Sequence, residues 1–280
     1  MIDVKKEMFK PSTNIYSGIK SLDNKLGYLK NGFVYTVAAY PGIGASSLIY
    51  TMMLNIGKNS NTKSCILSPK TEASAIGIRL LSLASNVDFM EIYDKIDTID
   101  FTNFEKYFAN TFVYNDDQHD INELFAQIVE AHNRDNFKVL FIDDLFTLHF
   151  VLQQMQYLPS IENRITYAMQ QIKSLAKLLN IPIVLVHTLT HDLVKHFPHN
   201  SGALKISPDE RCLPYLSIQS ISDCLIFVSK PAFYGVTTDD EGNSIKDCVF
   251  LNVRKNNGGS VGQIQCLFND KTGEITDYIK

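Results

Sequence analysis

The chain has 280 residues, enough to bury one large hydrophobic core, and a formal net charge of −4 with a pI near 6.0. This balance excludes a global basic field, so any contact with nucleic acid must come from a local patch. The five cysteines are scattered without a C-x-x-C pair, which argues against a disulfide framework or a zinc site. There is no apolar export signal and no run of about 18 apolar residues, so we expect a cytoplasmic protein with no membrane span.

Hydrophobic strands and amphipathic helices alternate along the chain. We expect residues 1–14 to be a lead-in and residues 15–280 to form one α/β domain. In chain order the patterns predict a short helix within 15–32, a strand at 34–39, a helix at 46–57, a strand at 64–68, helices at 71–85 (capped by Thr71) and near 102–109, a strand at 111–114, a helix at 121–133, a strand at 139–142, a helix at 163–179, and strands at 181–186, 224–228, 248–253 and 263–268. The last two strands are expected to form a hairpin, and 190–216 a surface loop. The alternation predicts a mostly parallel sheet with helices on both faces, which binds ligands at the carboxyl ends of its strands.

A phosphate-binding loop is predicted where the first strand meets its helix. The stretch 34–47 reads V-Y-T-V-A-A-Y-P-G-I-G-A-S-S, a strand, a glycine turn and the start of a helix. Backbone N–H groups of such a turn and the positive end of the helix dipole bind phosphate oxygens. Against the pattern G-x-x-x-x-G-K-[ST], Ala39 replaces the first glycine and Ala45 the lysine, while Gly44 and Ser46 are kept. The candidate nucleotide-binding residues are Pro41, Gly42, Ile43, Gly44, Ala45, Ser46 and Ser47.

A second apolar run, Val139–Ile142, ends in Asp143 and Asp144. A buried strand that ends in an aspartate is what a Walker B site requires, because its carboxylate orders magnesium opposite the hydroxyl of the phosphate loop. Ser46 and Asp143 are therefore the candidate magnesium ligands, provided that nucleotide binds.

The order of these segments resembles the C-terminal RecA-like domain of the DnaB family of replicative hexameric helicases. The similarity runs from about residue 15 to 270. It is carried by G-x-x-x-L-D at 18–23, A-A-Y-P-G-I-G-A-S at 38–46, S-P-K at 68–70 followed by Arg79, N-D-D at 115–117, I-D at 142–143, Q-Q-I-K-S-L-A-K at 170–177, S-I-Q-S-I-S-D at 217–223 and R-K-N-N-G-G-S-V-G at 254–262. The resemblance implies a RecA-like P-loop fold with a C-terminal β-hairpin and ATP and Mg²⁺ as cofactors. It also implies a hexameric assembly, with DNA or a replicative helicase or other replication protein as partner.

Four reactive positions of that family are replaced here. The P-loop lysine is Ala45, the catalytic glutamate is Lys70, the glutamine after the strand at 181–186 is Thr188, and the arginine of the K-x-R pair is Asn256. Arg254 keeps the first cation of that pair, so Arg254 and Asn256 are the candidate subunit-interface, phosphate-sensing positions. Phosphoryl transfer relies on electrostatics and positioning, and each loss is expected to cost on the order of several kcal/mol of transition-state stabilisation. We therefore expect a weak or inactive ATPase that acts by binding.

Other interpretations stay open. Lys70 could supply the missing cation from another direction and Asp144 could act as the base, which would leave an active ATP-dependent helicase. In an empty site, Lys70 would instead pair with Asp143 or Asp144. The loop backbone could also bind nucleotide passively, or the chain could be a structural oligomer that needs no nucleotide.

The resemblance also implies a central channel for DNA. Basic residues that match or flank the segments lining that channel are candidates for DNA contact. They include Lys173, Lys177, Lys205 and Arg211.

Overall fold

One nine-stranded sheet runs through the part of the chain that the computed structural model describes, which is residues 14–59, 62–69, 71–108, 111–114, 121–145, 158–189 and 216–279. The strands are β1 (Val34–Ala39), β2 (Ser64–Leu67), β3 (Thr111–Tyr114), β4 (Val139–Ile142), β5 (Ile183–Thr188), β6 (Cys224–Ser229), β7 (Cys248–Asn256), β8 (Gly262–Phe268) and β9 (Ile275–Asp277). Their spatial order is β3-β2-β4-β5-β1-β6-β7-β8-β9. Strands β1 to β6 pair in parallel, and β7, β8 and β9 are added antiparallel. The predicted mostly parallel α/β sheet and its C-terminal hairpin are confirmed.

The helices alternate with the parallel strands. They are α1 (Lys20–Leu26), α2 (Ala45–Asn59), α3 (Ala73–Ser85), α4 (Ile92–Lys95), α5 (Thr102–Phe108), α6 (Ile121–Asp135), α7 (Ile161–Leu179) and α8 (Leu216–Ile221). Helix α7 shows why such segments form: the Ser160 hydroxyl accepts the Asn163 N–H at its start, and Asn180 ends it in the left-handed conformation. Within the described ranges, no helix combines the length and apolarity that crossing a membrane requires.

Strand β1 occupies the middle of the sheet. It lies between β5 and β6, and all six of its residues are buried. A parallel strand that is covered on both faces needs a continuous apolar run, and V-Y-T-V-A-A supplies one. The carboxyl end of β1 therefore opens beside the ends of β4 and β5, which is where the sequence places its candidate site.

Several predicted boundaries are wrong by one to three residues, and two of them have a visible cause in the structure. Helix α3 begins at Ala73 after Glu72, so Thr71 does not cap it. Strand β5 begins at Ile183 rather than 181, because the backbone N–H of Ile181 still closes the end of α7 on the Ala176 carbonyl at 3.2 Å. The predicted lead-in, apart from its last residue, and the predicted loop at 190–216, apart from its last residue, lie outside the described residues.

Two helical glycines provide a test of the packing between α2 and α5. A Cβ on Gly57 would lie 2.1 Å from the carbonyl oxygen of Tyr107, whereas a Cβ on Gly77 would meet nothing within 4 Å. We expect Gly57→Ala to lower the free energy of unfolding by about 1–3 kcal/mol, because backbone must move to admit the methyl group. Gly77→Ala, the matched control in α3, should raise it by up to about 1 kcal/mol through helix propensity. Urea unfolding of both variants measures the difference, and equal effects would contradict the close approach.

Candidate nucleotide-binding site

The turn between β1 and α2 has the backbone shape of a phosphate loop. Gly42 and Gly44 have φ of 79° and 115°, a region that L side chains rarely adopt. The Leu48 N–H donates to the Gly44 carbonyl at 2.9 Å, so the helix is formed from its first turn onward. The first N–H groups of a helix have no acceptor within that helix, and together with the helix dipole they favour an anion.

Six of the seven predicted nucleotide-binding residues line one cavity of about 470 Å³. The exception is Ile43, whose side chain is buried in the hydrophobic core and so fixes the turn to it. Ala45, the predicted counterpart of the family's lysine, lines the cavity, and its methyl group also packs against the core. The volume lies in the range of small-molecule sites, about 300–1,000 Å³.

The two candidate magnesium ligands lie side by side. The Ser46 hydroxyl donates to Asp143 Oδ1 at 3.1 Å, and the Tyr50 hydroxyl donates to Oδ2 at 3.3 Å. Burial raises the pKa of Asp143 above its ordinary value; the Ser46 hydrogen bond opposes this shift and the neighbouring Asp144 adds to it. A hydroxyl beside a carboxylate is a donor set that Mg²⁺ prefers when phosphate oxygens complete it. The backbone cradle and this pair therefore fit a magnesium–nucleotide complex.

Asp144, the candidate base, has a hydrogen-bond partner on β5. The Thr188 hydroxyl donates to Asp144 Oδ2, and Thr188 itself lines the cavity. The sequence analysis considered Thr188 only as the position at which the family has a glutamine. It did not predict the hydrogen bond with Asp144. Lys70 lies outside the described residues, so its predicted pairing stays a prediction.

Cations line the cavity at two other positions. Arg79 stacks on the Phe89 ring, with 4.6 Å from its guanidinium carbon to the ring centroid, and its charge opposes the rise in the Asp143 pKa. Lys271 belongs to the turn between β8 and β9 and was missed by the sequence analysis. The signal was weak, because a lysine in a polar turn, here N-D-K-T-G, is common on protein surfaces.

Neither candidate interface residue lines this cavity. The Asn256 amide donates to the carbonyls of Lys25 at 2.9 Å and Ser260 at 3.2 Å, and its oxygen accepts the Gly258 N–H at 3.0 Å. Asn256 thus stabilises the β7–β8 turn. Arg254 is exposed on β7. Their proposed roles at a subunit interface stay predictions.

Lys173, one of the predicted DNA-contact residues, is engaged in an ion pair within the fold. The Lys173 ammonium pairs with Asp223, donates to the Gly32 carbonyl at 2.7 Å and lies 5.3 Å from the centroid of the Phe33 ring. Lys177 is exposed one turn further along α7. Lys205 and Arg211 lie outside the described residues, so the structure brings no patch together from the four, and DNA contact stays a prediction.

The buried Asp143 carboxylate should carry a cost in stability. Because its pKa is raised in the fold, the folded chain takes up a proton more readily than the unfolded chain, and stability rises as the pH falls through that pKa. We expect Asp143→Asn to be more stable than wild type at pH 7.5, and the difference to shrink as the pH falls towards the ordinary value of 3.8. Urea midpoints across this range measure it, with the exposed Asp240→Asn as control. A less stable Asp143→Asn at pH 7.5 would show that the hydrogen bonds outweigh the burial cost.

The sequence was compared with protein families and with known proteins. The family model of the DnaB-like helicase C terminal domain matches residues 14–277. The replicative DNA helicase DnaB of Rickettsia prowazekii (strain Madrid E) is 22% identical over 301 residues, covering 95% of this chain and 58% of the relative. A probable plasmid replicative DNA helicase of Chlamydia muridarum (strain MoPn / Nigg) is 23% identical over 273 residues, covering 93% of this chain and 54% of the relative. The chain thus spans a little over half the length of these relatives.

Solved structures show the same fold. A DnaB-like replicative helicase, solved in a study of its interactions with primase, has a TM-score of 0.78 at 15% identity, covering 98% of this chain and 64% of the other. A second solved structure, of an ATPase domain, has a TM-score of 0.78 at 17% identity, covering 98% of this chain and 95% of the other. With a family model matched over almost the whole length, the chain belongs to the DnaB-like helicase C-terminal domain family.

Proposed function

We propose that this chain is a nucleotide-binding DnaB-like domain with little or no ATP hydrolysis, which acts by binding DNA or a replication partner. The observation that carries the proposal is the retained Ser46–Asp143 pair, with its hydrogen bond of 3.1 Å, directly beside an alanine at the lysine position. The groups that seat phosphate and magnesium are present, and a group that stabilises the transferred phosphoryl is not.

The cradle supports binding better than turnover. Backbone N–H groups and the helix dipole attract phosphate whatever the side chain at position 45. The Ala45 methyl group offers no charge to the β- and γ-phosphates. The charge that develops in phosphoryl transfer would therefore lack its usual partner, and the bound state should turn over slowly.

Asp144 favours a second candidate, an active ATPase with relocated groups. Its carboxylate follows Asp143, the candidate magnesium ligand, is mostly buried at 8% exposure, and is oriented by the Thr188 hydroxyl beside the cavity. A carboxylate so held could accept a proton from an attacking water. In that case Lys70 would be the cation, as the sequence analysis allows.

The partners of the proposed domain follow from its relatives. Those relatives are named as replicative helicases, and a structural neighbour was studied with primase. We propose DNA or a replication protein as the partner, with a homo-oligomer, a hexamer by resemblance, as the assembly. A nucleotide-independent structural oligomer is the remaining alternative, and it would assemble equally well with and without ATP.

The nucleotide proposal is tested at position 45. Wild type should bind fluorescent ATP weakly, more tightly with Mg²⁺ than without, and show little turnover. Ala45→Lys should tighten binding by about tenfold or more, because an ammonium–phosphate hydrogen bond is charge-assisted. Ala45→Met, of similar length without charge, is the control.

Other results would select the alternatives. Steady turnover in wild type that Asp144→Asn abolishes would replace the proposal with the active enzyme. No binding by wild type or by Ala45→Lys would leave the nucleotide-independent oligomer.

Binding to DNA or to a replication partner is measured separately from nucleotide binding. Anisotropy with a labelled single-stranded oligonucleotide should show salt-dependent binding, and solution sizing should show an oligomer. A monomer that binds neither DNA nor a replication protein would contradict it.

A further inference from the structure

We propose that Lys271, on the turn between β8 and β9, supplies the phosphate-binding ammonium that Ala45 cannot. The inference rests on the proposed nucleotide binding and names the residue that completes that site. It also explains how a loop without its lysine could still hold a polyphosphate.

The β8–β9 turn lies against the start of α2. A Cβ on Gly44 would lie 3.0 Å from the Phe268 ring, and a Cβ on Gly273 would lie 3.1 Å from the Ser47 hydroxyl. Further along α2, the Thr51 hydroxyl accepts the Ile275 N–H at 3.0 Å. The chain therefore follows α2 outward from its N-terminus, where phosphate is expected, and Lys271 lies between these contact points and lines the cavity.

The backbone of Lys271 is fixed on both sides. Its N–H donates to the Asn269 side chain at 3.0 Å, and the Gly273 N–H donates to the Asn269 carbonyl at 2.7 Å. The Lys271 carbonyl accepts the N–H of Phe89, another residue that lines the cavity, at 2.9 Å. The main chain is thus held in place while the residue remains exposed, so a flexible four-carbon stem can carry its ammonium to a ligand.

The ammonium of Lys271 is available. The adjacent carboxylate, Asp270, is already paired with Lys230, whose ammonium lies 4.1 Å from the centroid of the Phe268 ring. Among the ion pairs of the described residues, none involves Lys271. A cation without a carboxylate partner, in a cavity built on a helix N-terminus, raises the local potential for an anion.

The other lining cation is placed for a different task. Arg79 stacks on Phe89, and its positive charge opposes the rise in the pKa of Tyr50 and of Asp143. These two residues form the magnesium side of the cavity. The turn that carries Lys271 touches the P-loop at both of its ends, since Phe268 lies beside Gly44 and Gly273 lies beside Ser47. Its middle also borders Phe89 through the Lys271 carbonyl. Lysine is also the residue that acts on phosphate as a point charge rather than as a planar fork.

The test compares charge variants of the full chain. With fluorescent ATP and Mg²⁺, Lys271→Gln should weaken affinity by about tenfold or more, and Lys271→Arg should stay within about threefold of wild type. Lys246→Gln, which removes an exposed lysine that does not line the cavity, should change nothing. The double variant Ala45→Lys/Lys271→Gln should recover the lost affinity, because one ammonium then replaces the other.

The outcomes separate this inference from the function on which it rests. If wild type binds ATP and Lys271→Gln binds it equally well, the inference is wrong and nucleotide binding stands. If Lys271→Gln loses affinity, Lys271→Arg loses it too, and the added Ala45→Lys does not restore it, the loss reflects damage to the turn and the inference is again wrong. If wild type does not bind ATP at all, the proposed nucleotide binding and the inference about Lys271 are both wrong. A thermal midpoint for each variant shows that the fold is retained.

Discussion

The hydrogen bond between Ser46 and Asp143 is the contact on which the candidate site depends. It joins the first turn of α2 to the carboxyl end of β4, two segments that are 97 positions apart in the chain. For the two groups to meet, β1 must lie in the middle of the parallel sheet with β5 between it and β4. The turn at 40–44, the cavity and the β8–β9 turn that lines it are then positioned around this contact. The sheet order is thus a condition for the site's chemistry.

Local patterns were sufficient to predict the parts of the site that lie on one segment. The buried run of β1, the two glycines of the turn and the apolar strand that ends in Asp143 each follow from residues that are adjacent in sequence. Parallel topology then brings Ser46 and Asp143 together, since ligands collect at the carboxyl ends of such strands.

Contacts between distant segments could not be predicted in this way. Lys173 pairs with Asp223 across 50 positions, and Thr188 reaches Asp144 across 44. No periodicity along the chain links such pairs. Lys173 was therefore assigned to a DNA surface, although its ammonium is engaged within the fold, and Lys271 was missed because its turn approaches the cavity only after antiparallel strands have been added to the sheet.

Two positions at which the sequence analysis predicts replaced family residues make contacts within the fold. Asn256 makes three hydrogen bonds that stabilise the β7–β8 turn, and the Thr188 hydroxyl orients Asp144. Family residues placed back at these positions would have to break such contacts before they could act on a nucleotide. A lysine at position 45 would supply charge for binding, whereas the proposed losses of the glutamate and the arginine would persist. Because phosphoryl transfer needs these groups together, binding should be easier to recover in this chain than turnover.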